Sequence, residues 1–482
     1  MAISSFSEKD PIAETFTRAG LAGRDPFRAT TLHPVRTQAR IEGRIPGWLA
    51  GDLLRTAPAG FATALWTASH WFDGIGMLYQ FRILDGRVEF SQRLLECRGA
   101  RDAAAGALSA ATFATPMRRP LLRRLFQPIP EITDNTNVNV IPYGETRVAL
   151  TEGAQQLVID KDTLRTTGQI EWSDREGAIL TIAHPHFDFE NNLLVGVALV
   201  LAGPSPHVLV YDHAPSERVR RPIARVRRGA LPYVHSFGLT PAHVVLIDHP
   251  LRVKPARMLW SELGFIDHFR WTPEDGTTLV RIDRRTGEQH HHHAPAHFVF
   301  HVINAFEEAD ATVMDVVAHD VGVVDRLRSD RLTCPIDGRY LRWTMRHGRR
   351  DVEEVEISGA AHEFPNVDYR RVSGRKHCLS WGATSVERAG VIHSEVVAID
   401  VTTASTRRFH DEHFVIGEPV FVGRPGAAEP DDGVVLAVGG RLGGDESRLY
   451  VLDAHTMEAR ATVSVPYTVP LGFHGNFFPS RR

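Results

Sequence analysis

What most limits the fold of this chain is the recurrence, along its whole length, of short apolar runs rich in β-branched residues. Each is cut off by Gly, Pro, Asp or Asn after roughly five to eight residues. "RVALTEG", "NLLVGVALVL", "HVLVYDH", "FVFHVINAFEE", "EVVAIDVTT" and "GVVLAVGG" are examples. Several runs close on an aspartate followed by small or charged residues, as in "VIDKDTLRT" and "VLDAHTMEA". Runs of this length are strands, and turns of this chemistry send the chain back beside them. Helical periodicity is scarce. The pattern predicts an all-β fold built by radial or sandwich repetition, although no exact internal repeat is visible. No Pro/Ser-rich linker divides the 482 residues, which predicts one domain over 1–482 with an N-terminal extension at 1–30.

Composition excludes several functions. A formal net charge of -3 offers nothing to a nucleic acid. Cys97, Cys334 and Cys378 have no CxxC spacing, which fits a reducing compartment and excludes a zinc ribbon. The opening "MAISSFSEKDPIAETFTRAG" carries acidic residues where a signal peptide needs an apolar stretch, and no run approaches the ~18 apolar residues of a membrane span. These features predict a cytoplasmic protein. One segment, an insertion at 101–130, departs from the strand pattern. Its stretch "GALSAATFATPMRRPLLRRLFQPIP", Gly106 to Pro130, interleaves leucine, phenylalanine and methionine with arginine. That mixture fits peripheral attachment to a membrane surface and entry of a lipid-soluble substrate. It equally fits an insertion packed on the domain with solvated arginines.

The chain holds 25 histidines. Four sit in apolar, turn-forming sequence: His184 in "TIAHPHFDFENN", His235 in "PYVHSFGLT", His301 in "FVFHVINAFEE" and His474 in "PLGFHGNFFP". Buried imidazoles need partners, and four that converge need a cation. Glu152, Glu363 and Glu418 occupy similar contexts. Buried glutamates are rare unless paired, and ligand histidines commonly donate their second N–H to a carboxylate. Three surface or salt-bridged glutamates would look the same at this level. His186, two residues from His184, faces the other side of an extended chain. The run His290–His293 in "QHHHHAPAH" is expected in a solvated loop.

Seven stretches taken in order carry a resemblance: "HWFDGIGMLYQFRI", "DNTNVNVIPYGETRVALTEG", "AHPHFD", "FHVINAFEE", "HEFPNVDYR", "GEPVFVGRPGAAEPDDGVVLAV" and "PLGFHGNFFP". Together they closely resemble the motifs of the carotenoid cleavage oxygenases, from about Gly43 to Pro479. The resemblance implies a seven-bladed β-propeller with a helical and loop cap and a non-haem Fe(II) on its axis. It puts His184, His235, His301 and His474 at the ligand positions. Glu152, Glu363 and Glu418 would stand behind His235, His301 and His474, leaving His184 without a carboxylate. His70 and Asp73 belong to a family motif and are taken as structural.

Four neutral imidazoles suit Fe(II) and leave two octahedral positions open. No flavin, NAD or haem motif is present, so electrons must come from the substrate. Oxidative cleavage of an electron-rich C=C bond by molecular oxygen meets that condition. The predicted activity is a dioxygenase converting a carotenoid or apocarotenoid to aldehydes such as retinal or apocarotenals. In family members that cleave stilbenes a lysine commonly precedes the glutamate; Thr151 stands there in this chain, which disfavours a phenolic substrate. Val138 occupies a position near the open iron site that resembles the isomerase branch. Phe300 and Phe473 are expected to line the substrate cleft. Stilbene cleavage, polyene isomerisation and simple carotenoid or retinoid binding are the alternatives.

Overall fold

Strands such as Gly51–Gly60 and Ala311–His319 are buried at every position. Sheets packed on both faces need apolar residues on both sides of each strand, which is why the sequence shows continuous apolar runs rather than strict alternation. The structure is a computed structural model and describes residues 6–7, 9–16, 27–178, 180–201, 205–328, 338–388 and 391–480. Cys334 and most of the 1–30 extension lie outside the described residues.

The strands pair antiparallel into seven blades: five separate sheets and the two halves of a sixth. That sixth is continuous through the long strand Glu353–Asn366, which pairs with Gly338–Arg346 as far as His362 and with Leu379–Arg388 from Glu363 onward. A small extra sheet joins Leu231–Pro232, Leu251–Val253 and Arg270–Trp271. Inner strands of neighbouring blades touch: Gly475–Pro479 lies against Asn139–Tyr143 and Val420–Gly423, and Phe237–Leu239 against Phe298–Glu308. Two seams close the ring. Gly475–Pro479 pairs with Gly51–Gly60, and Arg40–Gly43 pairs with Ala459–Val465. The molecule is the β-propeller that the resemblance implies.

The aspartate turns show the repetition that the sequence conceals. Asp160, Asp283, Asp400 and Asp453 each end an outer strand and accept, through Oδ1, from the backbone N–H groups two and three residues on. In all four the residue four places on is left-handed: Leu164, Gly287, Ala404 and Met457 have φ of 58°, 74°, 57° and 63°. The shared pattern is Asp-x-x-Thr followed by a positive φ, and only one copy uses glycine where the backbone favours it. Ala404 is exposed, so removing its Cβ should relieve strain without opening a cavity. Ala404→Gly is expected to stabilise the protein by about 0.5 kcal/mol, the left-handed penalty less the added freedom of the unfolded chain. Denaturant unfolding reads this directly, and a destabilised variant would contradict it.

One expectation is corrected by the fold. The run His290–His293 is not in a loop; it lies in the edge strand Gln289–Ala294, paired with Thr277–Asp283. Backbone pairing tolerates polar side chains at an edge; His292 is buried there, while His290 and His293 are exposed. The insertion at 101–130 is partly packed into the domain. Leu108 and Met117 are buried, and Asp73 anchors this part by accepting from the N–H groups of Ala114 and Thr115 and from the Thr115 hydroxyl. The short helix Leu121–Phe126 has no buried residue. Among the described residues no helix is long and apolar enough to cross a membrane.

Candidate metal centre and apolar cleft

His184, His235 and His474 each lie one or two residues before a strand: His186–Asp188, Phe237–Leu239 and Gly475–Pro479. His301 lies inside Phe298–Glu308, where the register with its neighbour slips between Val299 and Val302. A slip of this kind redirects a side chain that a regular ladder would place elsewhere. Four blades thereby aim their imidazoles at one point. The Nε2 atoms of His184 and His235 stand 3.1 Å apart, as do those of His301 and His474. All four ligand atoms fall within 4.8 Å of one another.

The far side of three rings explains which nitrogen is free. His235 Nδ1–H donates to Glu152 at 2.6 Å, His301 Nδ1–H to Glu363 at 2.5 Å and His474 Nδ1–H to Glu418 at 2.6 Å. Each pairing leaves a bare lone pair on Nε2. Burial lowers the His301 pKa to about 4, and burial with the neighbouring imidazoles holds His184 well below the ordinary range. Burial alone would raise the Glu363 carboxyl, but His301 and His319 hold it well below its usual value, as a carboxylate. Lone pairs 3.1 Å apart repel unless a cation lies between them. Two nitrogens at right angles about a metal, each about 2.1 Å from it, would be about 3.0 Å apart. The residues therefore fit a divalent first-row metal with a preference for imidazole.

Beside this cluster opens a narrow cleft lined by His235, His301, His474 and a set of aromatic rings. Phe72 is central to it, with ring centroids 4.9 Å from Phe113, 5.0 Å from Phe473 and 5.8 Å from Phe300. Among the described residues that line it there is no lysine or arginine. Its polar groups are engaged within the protein: Asn135 and Asn137 donate to the Gly74 carbonyl, and Thr112 donates to the Thr115 carbonyl. The cleft presents an apolar wall to whatever enters it.

The family model for RPE65, the retinal pigment epithelial membrane protein, matches residues 27–479. The chain belongs to this carotenoid oxygenase family. The chloroplastic carotenoid cleavage dioxygenase 8 homolog A of Oryza sativa subsp. japonica is 31% identical, over 91% of this chain and 85% of its own length. The mitochondrial carotenoid-cleaving dioxygenase of Mustela putorius furo is 27% identical over 96% of this chain and 97% of its own. Among solved structures, cobalt-substituted Synechocystis ACO superposes with a TM-score of 0.80 at 23% identity, covering 97% of this chain and 100% of that one. At that identity the likeness speaks for the fold.

The structure brings all seven expected metal-site residues of this family member to one place, and His184 has no carboxylate partner among the described residues. Val138, Thr151, Phe300 and Phe473 all line the cleft. His186 stands apart, bonded to the Tyr369 hydroxyl at 2.8 Å and the Phe237 carbonyl at 2.9 Å. His70 caps the helical turn Trp71–Asp73: its Nδ1 accepts from the Phe72 N–H while Nε2–H donates to the Val324 carbonyl. Sequence reasoning missed Phe72, which the same motif delivers into the cleft, and Phe364, which follows Glu363 directly. It also missed Tyr233, His319 and Arg55, the outer partners of the three glutamates. Nothing local marks these three, although Tyr233 lies only two residues from His235.

Proposed function

We propose that the chain is an Fe(II)-dependent dioxygenase that cleaves one C=C bond of a carotenoid or apocarotenoid to two aldehydes. The observation that carries this reading is the buried cluster of four imidazole lone pairs opening directly onto an aromatic cleft without a cation. Bound there, iron(II) would supply the chemistry that joins molecular oxygen to the double bond. The reaction balances without a reductant, since R–CH=CH–R′ and O2 give R–CHO and R′–CHO. The residues have three tasks. His184, His235, His301 and His474 hold the metal, and the glutamates keep three of them in the tautomer that offers Nε2. Phe72, Phe300 and Phe473 position the polyene and keep water out. Val138 and Thr151 border the reacting end.

The test is product analysis by mass spectrometry. Iron-loaded protein in air meets a detergent-dispersed mixture of a carotene, an apocarotenal and a hydroxystilbene. Aldehydes from one polyene identify both the substrate and the bond. Benzaldehyde-type products would assign stilbene cleavage, against the missing cation beside Thr151. Unchanged or isomerised polyene over bound iron would overturn the cleavage reading.

We also propose that the protein takes its substrate from a lipid surface. Leu121, Leu122, Leu125 and Phe126 are 70%, 69%, 59% and 87% exposed, and Trp260 and Leu263 are each 50% exposed. The two groups are joined, since Trp260 N–H donates to the Pro128 carbonyl and Arg124 to the Trp260 carbonyl. The same insertion contributes Phe113 to the cleft, so the exposed apolar helix and the cleft wall belong to one segment. Leu122→Asp with Phe126→Asp is expected to cut co-sedimentation with anionic phospholipid vesicles at least tenfold, given ~1.5–3 kcal/mol for each large apolar side chain withdrawn from water. Turnover of detergent-dispersed substrate should be unchanged. Equal vesicle binding by the variant would remove the membrane reading and leave the cleavage reading standing.

A further inference from the structure

The three glutamates accept from histidines in the same way, yet each meets something different on its other side. Glu152 accepts from the Tyr233 hydroxyl at 2.6 Å. Glu363 accepts from His319 Nε2–H at 2.8 Å and from the Phe364 N–H at 2.6 Å. Glu418 faces the Arg55 guanidinium at 3.1 Å and accepts from the Gly475 N–H at 3.1 Å. The first donor is a phenol and the second a ring N–H. A guanidinium is a permanent cation.

Arg55 lies on Gly51–Gly60 and is 1% exposed. Its fork is fully engaged: Nε donates to the Tyr79 hydroxyl at 2.9 Å, one terminal nitrogen to the Glu418 carbonyl at 3.0 Å and the other to the Phe473 carbonyl at 2.8 Å. One side chain therefore grips Glu418 by its backbone and its carboxylate, and also grips the residue before His474. Burying a cation this completely is costly unless opposite charge repays it. Among the described groups bonded to the four histidines and their glutamates, Arg55 is the one guanidinium, and it sets a fixed positive charge against the Glu418 carboxylate. A positive charge held near the metal disfavours a trivalent ion more than a divalent one.

We infer that Arg55 is a positioning residue that holds the Glu418–His474 arm and matches the charge of the site to ferrous rather than ferric iron. The inference rests on the iron reading given above. Removing the guanidinium leaves an uncompensated buried carboxylate near the metal, which favours the ferric ion.

Wild type, Arg55→Lys, Arg55→Gln and the double variant Arg55→Gln/Glu418→Gln would be loaded with Fe(II) without oxygen. Each would be equilibrated with soluble redox mediators that take one electron per iron, and ferric iron would be counted by electron paramagnetic resonance relative to iron bound. At fixed mediator potential Arg55→Gln should raise the ferric-to-ferrous ratio by on the order of tenfold, as a low-dielectric site feels one charge strongly. Arg55→Lys should bind less iron, having lost the fork, but keep the wild-type ratio. The double variant should return toward wild type, because it removes one charge of each sign. A purely structural role predicts no such rescue. An unmoved ratio in iron-loaded Arg55→Gln overturns the inference alone. If that variant does not fold, Glu418→Gln by itself should move the ratio the opposite way, and an unchanged ratio there overturns it equally. A wild type that takes up no iron would overturn the iron reading and this inference with it.

Discussion

Alanine at position 474 is expected to leave the protein without bound iron and to reduce polyene cleavage at least about 10³-fold, well beyond the 10–100-fold typical of an outer partner. His474 is buried, and its Nε2 stands 3.1 Å from that of His301. Without the ring, three nitrogens remain, and Glu418 loses the donor it faces at 2.6 Å. Arg55 still pairs with Glu418, so the site keeps its carboxylates but one lone pair fewer to offset the cation's lost hydration. Metal analysis by plasma mass spectrometry and turnover under saturating oxygen should fall together, while circular dichroism keeps its β signature. Retention of half the iron with measurable cleavage would remove His474 from the ligand set.

Glutamine at 363 is the second large effect, and it separates the three carboxylates. Glu363 accepts three hydrogen bonds spread over both oxygens: His301 and the Phe364 N–H on Oε2, His319 on Oε1. An amide offers one acceptor oxygen and one NH2, so Glu363→Gln must set a donor against a donor in a fully buried position. The Nδ1–H bond that orients His301 weakens, and metal affinity should drop about 10–100-fold in competition with a chelator. Glu152 differs. Tyr233 and His235 both approach its Oε1, so an amide carbonyl can serve both. Glu152→Gln is therefore expected to lose less affinity than Glu363→Gln. The reverse order would show that net charge, not bond geometry, governs this shell.

The four clustered histidines were legible as candidates because each sits beside or within a strand in apolar, turn-forming sequence, a context in which an isolated imidazole is out of place. The four-residue aspartate turn was legible at Asp160 and Asp453, but its copies at Asp283 and Asp400 differ in every variable position. The edge strand Gln289–Ala294 escaped because polarity outweighed alternation in a run of identical residues, and backbone pairing is indifferent to both. Phe72 was passed over because its motif was read through His70 and Asp73, whose hydrogen bonds are indeed internal. Arg55 could not be found from its neighbours at all. Tyr79 faces it from the next strand, but Glu418 and Phe473 lie 363 and 418 residues away in the chain.

That seam couples two processes that look separate. Thr56 bonds to the His474 carbonyl across 418 residues of chain, and the strand that follows His474 completes the first blade. On the iron reading proposed above, His474 would thus be a ligand on one side and a pin of ring closure on the other. With a metal bound, any opening of this edge would pull one nitrogen from it, so the open ring would bind metal less tightly than the closed one. By mass action, free metal at a hundred times its dissociation constant would add up to about 2.7 kcal/mol against such opening. The ion, on this account, is also a latch: supply of the metal sets how often the propeller springs apart at its join, and a cell short of iron would hold a looser ring.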